Sequence, residues 1–261
     1  MLPKPVHLGP QYGVQFQDER VVAAYHLRPP YPDPVYDVLV ELTVDEPRAV
    51  LDVGAGTGEI ARNLVDRVDR VDALDPSRAM IERGRHLPSG DDPNLRWILG
   101  AAEDGPISPP YALIAAGSSI HWMEWSVVLP RFRDALTPRG VLAIVGQSNL
   151  SVPWQNDLQA IIDRLTTNRD YRPYNIIAEL ENRNLFRQIG RHQTPPLPFR
   201  QTVADYVESF HSRNGLSRDR MGADAIVFDR DLTAAVTRHT DDGTVTLRIV
   251  GEVIWGQPSP D

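Results

Sequence analysis

Cysteine is absent from the 261 residues, and Lys4 is the only lysine. The first absence removes thiol nucleophiles, disulfides, zinc thiolate sites and cysteine-ligated iron–sulfur clusters. The second leaves no lysine in the body of the chain for a Schiff base or for a phosphate-cradling Gly-Lys-Ser/Thr loop. No apolar run approaches the ~20 residues needed to span a bilayer. The opening MLPKPVHLGP lacks the apolar stretch of a signal peptide, so a cytoplasmic protein is expected, without a membrane partner. A net charge of −8 repels a phosphate backbone, so no nucleic-acid partner is expected either. Asp91 and Asp92 sit in a polar loop without histidine or aspartate at ligand spacing, and no metal is implied. The chemistry left open uses carboxylates, histidines, hydroxyls, backbone dipoles or a bound cofactor.

What is present is a repeated alternation of short apolar strands with helical patterns. HLRPPYPDP, from His26 to Pro34, is a rigid turn because each proline removes a donor and restricts its predecessor. Val35, Leu39 and Leu42 then fall at helical spacing. Ala49 to Gly58, AVLDVGAGTG, reads as strand and tight turn, followed by a helix carrying Ile60, Leu64 and Val68. Further strands are expected within residues 68–77, 95–103, 111–119 and 140–148, with helices over 77–85 and 125–136. Strands so apolar, alternating with helices, predict an α/β fold with a parallel sheet covered on both faces. Helices are expected over 154–165, 174–186, 202–211 and 229–238. Thr194 to Pro198 reads as a connector, and Thr244 to Gly256 as a terminal strand dense in β-branched residues. This divides the chain into an N-terminal helical segment (1–45), a ligand-binding core (46–150), a helical cap with a sixth strand (151–240) and a final strand with tail (241–261).

The turn after the first strand reads Asp52-Val53-Gly54-Ala55-Gly56-Thr57-Gly58-Glu59. Glycines let the backbone approach a ligand, and the next helix offers its N-terminal NH groups. A dinucleotide fingerprint would place its third glycine where this chain has Glu59, and a carboxylate beside a pyrophosphate is unfavourable. Asp75 ends the second strand, at the distance where an acid accepts hydrogen bonds from ribose hydroxyls. The residues thus predict a ligand with a ribose and no pyrophosphate. An adenosine joined to a cationic amino acid suits the neighbouring carboxylates.

LDVGAGTG, LDPS (Leu74 to Ser77), GAAED (Gly100 to Asp104), YALIAAGSSIHW and LTPRGVLAIV together resemble the ordered motifs of class I S-adenosylmethionine-dependent methyltransferases. The small-molecule type, which includes trans-aconitate and ubiquinone/menaquinone methyltransferases, is the nearest in pattern. The resemblance covers about Tyr25 to Gln147, with a weaker match at Thr244 to Gly256. It implies a Rossmann-like seven-stranded, mostly parallel sheet with an antiparallel last strand, helices on both faces and a small helical insertion after the fifth strand. It also implies S-adenosyl-L-methionine as cofactor, with S-adenosyl-L-homocysteine as product. Carried over by position, Gly54, Ala55 and Gly56 would line the methionine moiety, with Asp52, Thr57 and Gly58 around them. Asp75 would bind the ribose; Pro76, Ser77, Ala101, Ala102 and Glu103 would surround the adenine, and Ser118 would offer its carbonyl to the ammonium. Where many relatives carry an aspartate that reads the adenine amine, this chain has Ala101.

Methyl transfer by in-line displacement asks a protein to exclude water, align the acceptor and, where needed, take a proton. His121, in Ser118-Ser119-Ile120-His121-Trp122 after the fourth strand, is the candidate general base or substrate ligand; orienting the loop is the alternative. Tyr12, Phe16, Tyr25 and Tyr31 on one side, with Trp154, Tyr171, Tyr174 and Phe210 on the other, could wall an acceptor pocket or sit in cores. Arg28 and Arg213 are candidates for holding a substrate carboxylate. The substrate set is thus Tyr25, Arg28, Tyr31, Ser119, His121, Trp122, Trp154 and Arg213. The expected partner is a small-molecule acceptor, with transfer to oxygen, nitrogen or carbon, by a monomer or homodimer. Two other functions fit the same glycine turn: a nicotinamide-dependent oxidoreductase, and a non-catalytic S-adenosylmethionine-binding protein.

Overall fold

The computed structural model describes residues 4–9 and 18–259; Tyr12 and Phe16 lie outside them. After a short 3-10 turn at Val6–Leu8 come helices α1 (Glu19–Tyr25) and α2 (Pro34–Leu42). Asp18 caps α1, accepting from Arg20 N at 2.8 Å, and Pro34 opens α2 where its missing NH costs nothing. The proline-rich turn between them is pinned to the sheet: Gln147 Nε2 donates to the Pro29 carbonyl at 2.7 Å.

The core alternates as the sequence predicts: β1 (Ala49–Val53), α3 (Glu59–Leu64), β2 (Arg70–Asp75), α4 (Arg78–Arg85), β3 (Leu95–Leu99), β4 (Tyr111–Gly117), α5 (Trp125–Ala135) and β5 (Leu136–Asn149). β1 is buried along its whole length because both faces are covered. Ala49, Leu51 and Val53 face one core with Phe132 and Trp125, while Val50 faces the other with Ile60 and Leu64. The third strand stops at Leu99, four residues short of the expected Glu103, and the fifth begins at Leu136, four residues ahead of Gly140.

Next come α6 (Gln155–Leu165), α7 (Ile176–Asn182), β6 (Phe186–Gln193), β7 (Leu197–Thr202), α8 (Val203–Ser209), α9 (Arg218–Met221), α10 (Asp224–Thr237) and β8 (Thr244–Pro258). The sheet has eight strands rather than the seven expected, in the order β3-β2-β1-β4-β5-β8-β6, with β7 also on β8. β8 alone runs against its neighbours. It is 15 residues long, so one edge takes two strands in succession: β7 pairs with Thr244–Ile249 and β6 with Glu252–Pro258. The expected helix over 174–186 ends at Asn182, and Phe186 starts β6 instead. The expected connector from Thr194 is the break between β6 and β7, held by Thr194 N donating to the Gly251 carbonyl at 2.9 Å.

A third apolar cluster forms the cap, gathering Trp154, Leu158, Tyr206, Phe210, Phe228 and Leu232 onto Val245, Leu247 and Ile249 of β8. The cap is therefore built from two stretches of chain, one after β5 and one between β7 and β8. No helix among the described residues is long and apolar enough to cross a membrane.

Candidate active site

A cavity of about 310 Å³ opens at the carboxyl ends of β1, β2 and β4, within the 300–1,000 Å³ range usual for small-molecule sites. Its floor is the glycine turn. Gly54 has φ +63°, and a Cβ there would sit 2.6 Å from Ser119 Cβ, so position 54 excludes any side chain. Gly56 also has positive φ, +58°, but only the ring of Tyr25 approaches it, at 3.8 Å. Gly54 N and Ala55 N both donate to the Leu74 carbonyl, at 2.8 and 3.1 Å, which ties the turn to the end of β2.

Asp75 forms the next wall. Its carboxylate accepts from Gly56 N and from Ser77 N, both at 2.8 Å. These bonds occupy one site on each oxygen, leaving about two of a carboxylate's four lone-pair directions for a ligand. Burial raises its pKa above the ordinary carboxylate value, against the pull of the Ser77 and Gly56 amides. Ser77 in turn caps α4 through Met80 N. Pro76, Ala101 and Ala102 continue the lining, and Glu103 is anchored by Glu124 N donating to it at 2.7 Å. Ser118, Ser119 and Trp122, from the segment after β4, continue the lining, and Tyr25 and Arg28 complete it. Ser118 has a left-handed φ of +51°, and Ser119 Oγ donates to the Val53 carbonyl at 2.6 Å.

The cavity thus gathers Gly54, Gly56, Asp75, Pro76, Ser77, Ala101, Ala102, Glu103 and Ser118 from the anticipated cofactor set. Asp52, Ala55, Thr57 and Gly58 lie outside its lining. Asp52 accepts from Ala61 N at 3.1 Å at the start of α3, and burial, with the charges of Asp75 and Glu59 adding, raises its pKa to about 7. Gly58 instead admits Trp97, whose ring would lie 2.5 Å from a Cβ there. Glu59 bears on the sequence argument about pyrophosphate. Its carboxylate accepts from Tyr36 Oη at 2.8 Å and pairs with Arg62 at 3.4 Å, outside the cavity lining, so Asp75 and Glu103 are the carboxylates that face a ligand. Met80, Gly117 and Met123 line the cavity without having been singled out in the sequence. Met80 was within reach of such a reading, three residues after the cap Ser77.

Of the anticipated substrate residues, Tyr25, Arg28, Ser119 and Trp122 line this cavity. Tyr31 reaches its edge, 3.1 Å from Ser118 Oγ. His121 faces a second cavity, of about 520 Å³, which meets the first at Ser118 and is also walled by Tyr174 and Asn175. Its ring tilts against Trp122 at 4.6 Å. Burial lowers its pKa to about 4, with the nearby charges of Lys4, Arg28 and His7 adding to the effect, so the imidazole is neutral at physiological pH. Lys4, not anticipated as a site residue, donates to the Met123 carbonyl at 2.9 Å, and burial lowers its pKa to about 8 against the charges of Glu124 and Glu103. Arg213 stacks on Phe210 at 4.2 Å, beside the Ser212 that holds Arg28. Trp154 does not reach either cavity: it is 4% exposed in the cap core, donating to Tyr206 Oη at 3.1 Å.

A parallel sheet of this order, with one reversed strand and a glycine-turn cavity closed by an acid on β2, defines a class I methyltransferase fold. Comparison with known proteins agrees. Residues 50–140 match the family described as methyltransferase domain. The chain is 32% identical over 146 residues to an uncharacterized methyltransferase of Mycobacterium tuberculosis, covering 55% of this chain and 57% of that protein. It is 26% identical over 196 residues to the trans-aconitate 2-methyltransferase of Yersinia pestis, covering 67% and 72%. The chain thus spans little more than half the length of the first of these relatives. Among solved structures, one described as a type II methyltransferase from Anaeromyxobacter dehalogenans superposes with TM-score 0.64 over 90% of this chain and 99% of that one, at 24% identity. A methyltransferase from Thiobacillus denitrificans, solved with S-adenosyl-L-homocysteine, gives TM-score 0.51 over 92% and 97%, at 12% identity. Residues 50–140 thus match a methyltransferase domain, and the whole chain shares the fold of these solved methyltransferase structures.

Proposed function

We propose that the protein transfers a methyl group from S-adenosyl-L-methionine to a small-molecule acceptor. The observation that carries this reading is the buried Asp75 carboxylate, fixed by two backbone amides at the glycine turn with lone pairs still directed into the cavity. Those lone pairs suit two adjacent ribose hydroxyls. Gly54 and Gly56 admit the amino-acid arm, Pro76, Ala101, Ala102 and Met80 offer an apolar slot for the adenine, and the Ser118 carbonyl is available to an ammonium. The donor set fits a cationic ligand: Asp75 and Glu103 line the cavity, while the cations nearby are engaged, Arg28 with Ser212 and Lys4 with the Met123 carbonyl. When bound, the cofactor supplies an electrophilic methyl group on sulfonium and leaves as S-adenosyl-L-homocysteine.

The chain's own residues exclude water and orient the acceptor, the contribution that in-line displacement needs. Tyr25, Trp122 and Met123 cover the cavity, and Tyr31 holds Ser118 Oγ at its edge. His121 stands at the junction with the second cavity as a neutral imidazole, suited to hydrogen-bonding the acceptor; with a pKa of about 4 it is a weak proton acceptor. Tyr25, Arg28, Ser119, Trp122 and Arg213 complete the acceptor side of this proposal.

Calorimetry with S-adenosyl-L-methionine, S-adenosyl-L-homocysteine and the nicotinamide dinucleotides tests the reading. Binding of the first two alone is expected. Binding of the dinucleotides alone would instead support the oxidoreductase reading.

A further inference from the structure

Many other guanidinium groups in this molecule pair with carboxylates, although some, such as Arg131, donate to backbone carbonyls instead. Arg96 makes a bidentate contact to the buried Asp72, at 2.6 and 3.0 Å, and Arg218 pairs with Glu208 and Asp229. Neither Arg28 nor Arg213 has a carboxylate partner among the described residues. Both are half-buried, and each lies over an aromatic face at 4.2 Å, Arg28 on Tyr25 and Arg213 on Phe210. The hydrogen bonds of Arg28 go to neutral groups: Nε donates to Ser212 Oγ at 2.8 Å, and Nη2 donates to the Ser212 carbonyl. Ser212 is itself fully buried and fixed, its hydroxyl donating to the Ser209 carbonyl at 2.6 Å. The Arg213 guanidinium has no hydrogen-bonding or ion-pair partner among the described residues; its contact is the Phe210 ring.

The two cations are close enough to act on each other. Burial, followed by the charge of Arg28, lowers the pKa of Arg213 to about 10. Besides burial, Lys4 and Arg28 also act on His121 as positive charges, lowering its pKa. An acidic chain has thus set two guanidinium groups without a carboxylate partner beside each other, one of them, Arg28, in the lining of the cofactor cavity. Holding two partly desolvated guanidinium groups together without a counter-ion is costly unless a ligand supplies one.

We propose that Arg28 and Arg213 form an anion subsite that binds a carboxylate of the methyl acceptor, so that the substrate class is a small carboxylic acid. This rests on the reading of the cavity as a methyltransferase site. Stacking on Tyr25 and Phe210 fixes the planes of both groups, and planar N–H donors match the two oxygens of a carboxylate. Arg28 has two of its three nitrogens committed to Ser212, while Arg213 retains its whole fork. Such a pair serves a single planar anion better than a phosphate, which calls for donors around a tetrahedron.

The test uses the full chain saturated with S-adenosyl-L-homocysteine, titrated with malonate, succinate and glutarate, with the diamides of the same acids and with inorganic phosphate. At least one dicarboxylate is expected to bind at least tenfold more tightly than its diamide and than phosphate. Arg213→Gln is expected to weaken that binding at least tenfold, with Arg213→Lys intermediate. Arg213 does not line the cofactor cavity, so S-adenosyl-L-homocysteine should bind Arg213→Gln and wild type alike, which also reports that the variant is folded. Equal binding of acids and diamides, preference for phosphate, or undiminished dicarboxylate binding by a folded Arg213→Gln overturns the subsite while leaving the methyltransferase reading standing. Failure of S-adenosyl-L-homocysteine to bind wild type overturns both.

Discussion

Asp75 accepts two backbone amides and faces the cavity, so its removal should act on ligand and turn together. Asp75→Ala is expected to weaken S-adenosyl-L-methionine binding by at least ~1.5 kcal/mol, about tenfold, the scale of a hydrogen bond to a charged group. Calorimetry on the variant checks this, and unchanged affinity would remove the ribose assignment. His121 makes a prediction in pH. Its folded pKa of about 4 lies below the unfolded ~6.5, so the folded state favours the neutral ring. The stability this contributes is present above pH 6.5 and is lost as the pH falls toward 4, by about 1–3 kcal/mol. His121→Asn should therefore flatten the acid limb of a pH series of thermal melts. Turnover should likewise lack a histidine inflection near pH 6.5. Single residues were legible in the sequence where position on the backbone decides the matter, as at Gly54 and Asp75. They were not where side-chain direction decides it. Glu59 opens α3 beside the glycine turn in sequence, yet its carboxylate goes to Tyr36 and Arg62, two residues whose proximity only the packing of α2 on α3 creates.

Among the elements, the glycine turn separates two effects that a sequence motif merges. Gly54 requires both a positive φ and empty space, whereas Gly56 requires only the positive φ. Gly56→Ala should cost about 1–2 kcal/mol for the left-handed backbone. Gly54→Ala should cost about 1–3 kcal/mol more, because its Cβ displaces Ser119 and with it the wall of the cavity. Urea titrations of the two variants, with cofactor affinity measured alongside, would expose the difference. The central strands were readable because burial on both faces writes them as unbroken apolar runs, as in AVLDV and YALIAAG. The outer strands were not. FRQIGRHQ and LPFRQT lie on the open edge of β8 with most side chains exposed, so their composition is that of a loop, and Pro198 strengthens that impression although an edge strand tolerates it.

At the scale of the whole molecule, the cap was legible as a set of helices but its assembly was not, since its two stretches of chain are separated by β6 and β7. Trp154 shows the result: an aromatic expected to wall a pocket instead closes the cap core over Tyr206. Trp154→Ala should destabilise the protein by about 3–5 kcal/mol while leaving cofactor affinity at the wild-type value. Melting should remain a single transition at a lower temperature; separate transitions for cap and core would contradict the packing. The reason lies in β8, whose first half carries Val245, Leu247 and Ile249 into the cap and whose second half carries Val253 and Ile254 into the central cores. One uninterrupted ribbon acts as a girder common to both bodies, so the cap has no hinge there about which to swing like a door. The same rigidity extends to the cavity itself, since Arg28 in its lining is bonded to Ser212 of the cap, so chamber and cap should respond to strain as one piece.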